Sequence, residues 1–182
     1  MTTRFRLDRG FTLADVMMTL AIFATLAAVS IPLATDLTAD IRLNEAARTV
    51  ERELQYGRLR AVSANRIVRV RMNCPAAGSL RTVEFLNSSA DIATNRCAEA
   101  GYPYPAADND VVTRPNYDGP VRTMPPGSSV DTYIIEFYPD GTAKNVVSNV
   151  AAAITTPITI TVTRKMRSRT ITVNGAGKIQ YQ

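Results

Sequence analysis

The chain has 182 residues, enough for one domain with its own core plus an appendage. Apolar residues make up 46% and charged residues 20% of the chain. This composition excludes two classes of protein, a fully disordered chain and a membrane protein with many transmembrane spans. The chain has two Cys, no His and a formal net charge of +5. This composition argues against a hydrolytic or metal-dependent enzyme, and we identify no catalytic, cofactor-binding or metal-binding motif.

Glycine and proline are distributed unevenly along the chain. Before residue 75, only Gly10, Pro32 and Gly57 occur, whereas the remainder is rich in both residue types. This predicts an α+β fold in which a long N-terminal helix packs on an antiparallel β-sheet domain. We divide the chain into a leader at 1–10, a transmembrane helix at 11–34, an amphipathic helix at 35–64 and a β-rich globular domain at 65–182.

The N-terminal segment has the character of a membrane anchor. Residues 1–10 carry three arginines, and residues 11–34 form an apolar run whose only charge is Asp15. At about 1.5 Å per residue this run makes a helix of ~36 Å, longer than a hydrocarbon core of about 30 Å. The basic leader predicts a cytoplasmic N-terminus and a translocated C-terminal domain. The alternative is a secretory signal cleaved after Ser30, for which the apolar run is too long.

A motif surrounds the start of this run. The leader ends at Gly10 and is followed by the letters FTL at 11–13, by Asp15 and by Pro32. The combination resembles the class III signal of type IV pilins and type II secretion pseudopilins, in which the acid is usually Glu. The resemblance implies that a membrane prepilin peptidase cuts between Gly10 and Phe11 and N-methylates the Phe11 amine.

The same resemblance implies a role for the acid during assembly. In the family, the N-terminal amine of one subunit pairs with the acid of an adjacent subunit, here Phe11 with Asp15. Two opposite charges that meet in a low dielectric offset each other's desolvation cost, so an otherwise unfavourable carboxylate becomes an assembly contact. Pro32 removes one backbone hydrogen bond, and we expect the helix to bend there and continue.

The following segment is amphipathic. Between Thr38 and Ala64 apolar residues recur at helical spacing, so we expect one stripe to pack on the sheet and the charges to face solvent. The stripe contains Leu43, Ala47, Val50, Leu54 and Ala61, and the charged positions include Glu51, Arg52, Glu53, Arg58 and Arg60.

Beyond residue 65, short segments alternate apolar and polar residues and predict strands. A turn at Asp140-Gly141 and a hairpin connection at 165–168 separate some of them. Residues 87–129 contain six prolines and predict long loops. The predicted strands are 67–72, 82–86, 133–138, 158–164 and 169–173, with a last one beginning at Ile179.

The two cysteines, Cys74 and Cys97, are candidates for a disulfide. A periplasmic domain permits such a bridge, and closing this loop would stabilise the fold by about 3 kcal/mol in the chain-entropy model. Two free thiols remain the alternative, because the sequence does not show whether the two Cα atoms lie close together.

The β-rich part resembles the GspH/FimT group of minor pseudopilins. The likeness lies at residues 59–70, at FYPDG in 137–141 and in the closing hairpin at 171–179. It implies a non-enzymatic structural subunit of a type II secretion pseudopilus or a type IV pilus. Such a subunit sits in the bacterial inner membrane with its C-terminal domain in the periplasm, and polymerises with other pilin subunits into a helical filament. No cofactor is implied.

A basic C-terminal cluster supports a second hypothesis, a DNA-binding minor pilin for natural transformation. Arg164, Lys165, Arg167 and Arg169 surround the predicted hairpin tip, and Lys178 follows. Such a patch can bind phosphates without sequence preference. FimT-type members are thought to capture DNA through a Gly-Arg-x-Arg element, and residues 177–180 read GKIQ instead. A solvated hairpin is the competing interpretation.

One acidic loop is a candidate for a calcium site. Asp108, Asn109 and Asp110, with Asp118 nearby, offer oxygen ligands but lack the spacing of an EF-hand loop. We therefore interpret them as solvated turn residues.

Overall fold

The computed structural model describes residues 12–87, 91, 94–100 and 118–182, without the side chains of residues 29, 31–35, 94 and 95. The leader, the Gly10–Phe11 bond, the Pro32 side chain and the acidic residues 108–110 lie outside the described residues. The chain divides into two compact units, Met1–Thr38 and Ala39–Gln182.

One long helix, α1, runs from Leu13 to Ala64. It begins after Thr12 and ends where Asn65 adopts a left-handed conformation with φ of 51°. The Arg66 N–H then donates to the Ala61 carbonyl at 3.2 Å, which satisfies one of the last helical acceptors. Within the part of the chain that the structure describes, no helix is both long and apolar enough to cross a membrane.

Ten strands and one short 3₁₀ helix follow within the described residues. They are β1 Val68–Met72, β2 Ser79–Glu84, the 3₁₀ helix Thr94–Cys97, β3 Arg122–Thr123, β4 Ser128–Val130, β5 Ile134–Phe137, β6 Ala143–Val147, β7 Val150–Ala153, β8 Ile158–Arg164, β9 Arg167–Val173 and β10 Ile179–Tyr181.

The strands form two antiparallel sheets. Six strands lie in the order β3-β2-β1-β5-β6-β7, and four lie in the order β10-β9-β8-β4. The β8–β9 hairpin has a long ladder that runs from the Ile158–Val173 pair to the Arg164–Arg167 pair. The predicted α+β architecture of a long helix on antiparallel sheets is confirmed.

The core of the second unit lies between the helix and the two sheets. All five residues of the predicted apolar stripe, Leu43 to Ala61, are fully buried and belong to one hydrophobic cluster with residues of both sheets. Every member of this cluster lies between Leu43 and Val173, within the unit Ala39–Gln182. This unit therefore carries its own core.

Several strand predictions differ from the structure. The predicted strand at 82–86 lies instead at Ser79–Glu84, in register with β1. The segment 87–129, predicted as loops, contains β3, the start of β4 and a 3₁₀ turn. The sequence analysis also did not predict β6 and β7. Lys144 and Asn145 interrupt the apolar pattern of β6, and β7 consists mostly of alanine, which has little strand preference.

Candidate assembly surfaces

Thr12 and Asp15 form a reciprocal cap at the start of α1. The Asp15 carboxylate accepts the Thr12 N–H at 3.1 Å and the Thr12 hydroxyl at 2.8 Å, both at Oδ2. In return, the Asp15 N–H donates to the Thr12 hydroxyl at 3.3 Å. This is the capping-box arrangement, and the spacing T-x-x-D before an apolar run was the sequence signal that could have revealed it.

The helix after this cap presents apolar side chains. Within the described part of residues 12–38, large apolar side chains are exposed on several sides of the helix, which a soluble helix would not leave uncovered. They are Leu13, Val16, Met17, Met18, Leu20, Ile22, Phe23, Leu26 and Leu37.

Arg58 joins α1 to two turns. Its Nε–H donates to the Gly141 carbonyl at 3.1 Å, and a terminal nitrogen donates to the Ala176 carbonyl at 3.5 Å. These turns lie within two of the segments that carried the GspH/FimT resemblance, 137–141 and 171–179. Arg58 is exposed, as the prediction of a solvated face implies, and its guanidinium also donates to backbone acceptors far away in the sequence.

The two turns meet so closely that one of them requires glycine. Gly177 has a φ of 70°, and a Cβ at this position would lie 2.1 Å from the Gly141 carbonyl oxygen. No side chain fits there without displacing backbone. Beside this contact lies a cavity of about 380 Å³, lined by Gln55, Arg58, Leu59, Val62, Lys178 and Ile179.

Glu53 is another charged helix residue that the sequence placed on the solvated face. Its side chain is buried, and its carboxylate accepts the Thr82 hydroxyl at 2.6 Å. Arg122 lies 3.9 Å from the other carboxylate oxygen. Burial raises the pKa of Glu53, against the opposing effects of the Thr82 hydrogen bond and of Arg122.

The outer face of the six-stranded sheet carries a buried polar layer. Arg69 is only 2% exposed; it lies 3.5 Å from Glu136 and stacks on the Phe85 ring. Burial raises the pKa of Glu136, and the charge of Arg69 opposes the shift. The alternation of β1 predicted that Arg69 faces away from the apolar core, and covering residues such as Phe85 then bury it.

Arg96, in the 3₁₀ helix Thr94–Cys97, holds the segment after β2 against the sheet. It is fully buried, forms ion pairs with Asp91 at 2.6 Å and with Asp118 at 2.9 Å, and donates to the Glu84 carbonyl. The adjacent Cys97 is bonded to Cys74, and the two Cα atoms are 5.0 Å apart. Asp118 therefore serves an ion pair, and no acidic or cysteine cluster suited to a metal occurs among the described residues.

Four of the five basic candidate residues lie at or near the turn of the β8–β9 hairpin, where Arg164 pairs with Arg167 across the ladder, and Lys178 lies apart from them. Arg164 donates to the Pro126 carbonyl, Arg167 pairs with Asp40, and Arg169 donates to the Asn44 side chain at 3.1 Å. Lys165 lies in the turn of the β8–β9 hairpin. Lys178 precedes β10, which pairs with β9 at Val173, the end of the hairpin away from this turn.

Comparison with known proteins gives one family match. A family model described as type II transport protein GspH matches residues 46–177. No curated protein sequence matches the chain. Among solved structures, the minor pseudopilin EpsH from the type 2 secretion system of Vibrio cholerae is similar at a TM-score of 0.46 and 13% identity, covering 78% of this chain and 96% of that chain. The type IV minor pilin FimU of Pseudomonas aeruginosa is similar at a TM-score of 0.49 and 20% identity, covering 80% and 92%.

The family match covers well over half of the 182 residues and runs from α1 to the turn that contains Gly177. It includes the Arg58 contacts and the buried polar layer around Arg96. The resemblance drawn from residues 59–179 is confirmed. This chain belongs to the GspH family of type II transport proteins.

Proposed function

We propose that this chain is a minor pilin-like subunit of a type II secretion pseudopilus or a type IV pilus, with a structural rather than an enzymatic role. The observation that carries the proposal is the GspH family match over residues 46–177. The prepilin-like signal at the N-terminus supports it independently, because that signal lies outside the matched residues.

In this proposal the chain is made as a precursor in the inner membrane. Residues 11–34 cross it once, with the leader in the cytoplasm and residues 35–182 in the periplasm, and a prepilin peptidase cleaves the Gly10–Phe11 bond. Support comes from the apolar run in the sequence and from its exposed apolar side chains. Among the described residues, no helix is long and apolar enough to cross a membrane. This part of the proposal therefore rests on the apolar run at residues 11–34 of the sequence.

Asp15 has two successive partners in this scheme. Both hydrogen bonds from Thr12 go to Oδ2, so the cap and an ammonium can share the carboxylate. The N-methylated Phe11 amine of a neighbouring subunit is the proposed second partner during filament growth. Thr12 then holds the shorter Asp side chain in one orientation, which offsets the missing methylene relative to Glu.

The DNA-binding alternative has less support. Three of the five cations are engaged within the chain, and Lys178 is separated from the hairpin turn. A variant of the unit Ala39–Gln182 with neutral residues in place of Arg164, Lys165, Arg167 and Arg169 provides the comparison. We expect the wild-type unit to bind duplex DNA no more tightly than this variant at any salt concentration. Affinity lost on neutralisation would favour the alternative.

Variants of Asp15 test the assembly role directly. In a strain that builds the filament, we expect Asp15→Ala to lower the amount of chain in sheared filaments by at least about tenfold, since it removes one partner of a buried charge pair. Asp15→Glu should retain incorporation.

Asp15→Asn separates the charge from the cap. Asparagine keeps an acceptor for Thr12 but carries no charge, so incorporation should fall as it does for Asp15→Ala. Membrane levels of each variant, measured by immunoblot, control for expression. Normal incorporation of both neutral variants would overturn the proposed pairing.

A further inference from the structure

The two sheets end in four edge strands within the described part of the chain: β3, β7, β10 and β4. Three of them are short and carry polar or charged residues at or beside the edge. β3 has two residues including Arg122, β10 follows Lys178, and in β4 the Ser129 hydroxyl is bonded to Thr163. β7 is four residues long and has the sequence VAAA. It lacks the lysine, proline or bulge that usually protects an edge.

The hairpin geometry shows which backbone groups of β7 point outward. Ser148 and Asn149 form a two-residue turn with φ of 50° and 66°, and Val147 pairs with Val150 across it. In such a hairpin the pair that closes the turn is hydrogen-bonded, and the bonded pairs alternate along the ladder. Val150 and Ala152 therefore bond to β6, whereas the N–H and C=O groups of Ala151 and Ala153 face away from the sheet.

This edge is apolar and exposed. Val150 is 68% exposed and Val147, beside it on the same face, is 59% exposed. Residues 145–163 contain no charged side chain. Edge strands with these properties are the usual templates for pairing with another chain.

The hairpin that carries the edge is held in place. The Asn149 side chain in the turn accepts a hydrogen bond from Arg69 at 2.5 Å. Arg69 is itself buried against Glu136 and Phe85 in the polar layer. A strand that added to β7 would thus meet an edge that is already ordered, which lowers the entropy cost of binding.

We propose that β7 is a strand-addition site for an extended, uncharged segment of a neighbouring filament subunit. The outward groups of Ala151 and Ala153 require the backbone of an extended partner, because only a strand presents matching donors and acceptors at this spacing. The partner strand is uncharged, because a charge laid along residues 145–163 would meet no opposite charge, and Lys144, the β6 partner of Ala153, has its ammonium over the Tyr138 ring. This inference rests on the proposed function, which supplies the neighbouring subunits.

Crosslinking in the assembling strain tests the site. The full chain carries a photoreactive benzoylphenylalanine in place of Val150, and adducts from sheared filaments are identified by mass spectrometry. We expect an adduct with another pilin-like subunit, attached within an uncharged extended segment. The same probe in place of Met166, which is fully exposed at the other hairpin turn, is the matched control and should not give this adduct.

Proline variants then distinguish strand addition from simple proximity. Ala151→Pro with Ala153→Pro removes the two outward donors and spares the bonds to β6, so the adduct should fall by about tenfold. Ala153→Val keeps the donor and should leave the adduct unchanged. Ala152→Lys adds a charge at the edge without altering the backbone and should also reduce the adduct. If thermal unfolding shows that the proline variant does not fold, the Ala152→Lys variant provides the test instead.

The outcomes separate this inference from the proposed function. A chain that enters filaments but gives no subunit adduct, or an adduct that persists in the proline and lysine variants, overturns the strand-addition site and leaves the proposed function intact. An adduct with a second copy of this chain would overturn the choice of partner. A wild-type chain that never enters filaments overturns the proposed function and the inference with it.

Discussion

Gly57 sets the distance between α1 and the six-stranded sheet. A Cβ at this position would lie 2.4 Å from the Val70 methyl group and 3.5 Å from the Phe137 ring. The helix therefore approaches β1 and β5 at a point where it contributes no side chain of its own and packs its backbone on Val70 and Phe137. Because glycine in a helix costs about 1 kcal/mol relative to alanine, its presence here reflects packing and not helix propensity.

Gly57→Ala should destabilise the unit Ala39–Gln182 by about 1–3 kcal/mol, since overpacking outweighs the gain in helix propensity. Urea unfolding of that unit measures the change. In Gly57→Ala with Val70→Ala, the second change makes room for the new methyl group. The double variant should thus lose less free energy of unfolding than the two single variants lose together. Strictly additive losses would contradict the packing explanation.

Glu53 makes the stability of the domain depend on pH. Its pKa in the folded state is raised from 4.5 by burial, so folding favours the protonated carboxyl. The resulting stabilisation is complete below the unfolded pKa and is lost as the pH rises through the higher folded pKa. Glu136, whose pKa is also raised by burial, contributes with the same sign.

Glu53→Gln should reduce the loss of stability between pH 4.5 and neutral pH, because glutamine accepts the Thr82 hydrogen bond without a charge. The free energy of unfolding, measured by urea titration at several pH values, reports this slope. Glu45→Gln, at an exposed position of the same helix, is the control and should leave the slope unchanged. An unchanged slope in Glu53→Gln would exclude Glu53 as its source.

At the scale of elements, the disulfide and Arg96 attach the segment after β2 to the outer face of the sheet. Cys74 follows β1, and Cys97 lies in the 3₁₀ helix next to Arg96. Arg81 adds a bond from its side chain to the Arg96 carbonyl at 2.9 Å. These contacts explain why Arg69 of β1 and Arg81 of β2 are buried on the face of the sheet opposite the apolar core.

Replacing Cys74 and Cys97 together with alanine should lower the free energy of unfolding by about 3 kcal/mol, the loop-closure contribution expected for this separation. Guanidinium unfolding of the Ala39–Gln182 unit measures it. Adding a reductant should destabilise the wild-type unit to a similar extent and have no effect on the double variant. A wild-type unit that is insensitive to reductant would contradict the assigned contribution.

Local patterns in the sequence predicted some elements and missed others for physical reasons. The apolar stripe of α1 and the strand Ile158–Arg164 were predictable because burial follows a simple period there. β7 was not, because alanines carry little strand preference and its pairing with β6 depends on the turn at Ser148. Arg58 and Glu53 look like ordinary surface charges, since their partners lie far away in the sequence.

At the scale of the whole molecule, the two ends of the chain have different surfaces. The N-terminal segment carries a capped helix start and exposed apolar residues, which in the proposed function face the membrane and then the interior of the filament. The unit Ala39–Gln182 carries the core, the polar layer and the exposed β7 edge. The proposed subunit would be held by its helix and would contact neighbours through its sheet.

The mass of the mature chain tests this account most directly. After co-expression with a prepilin peptidase, intact-mass analysis should show a product that begins at Phe11 and carries one additional methyl group on its N-terminus. A chain that is still intact from Met1 under those conditions, or one that begins directly after Ser30, would contradict a pilin-like precursor.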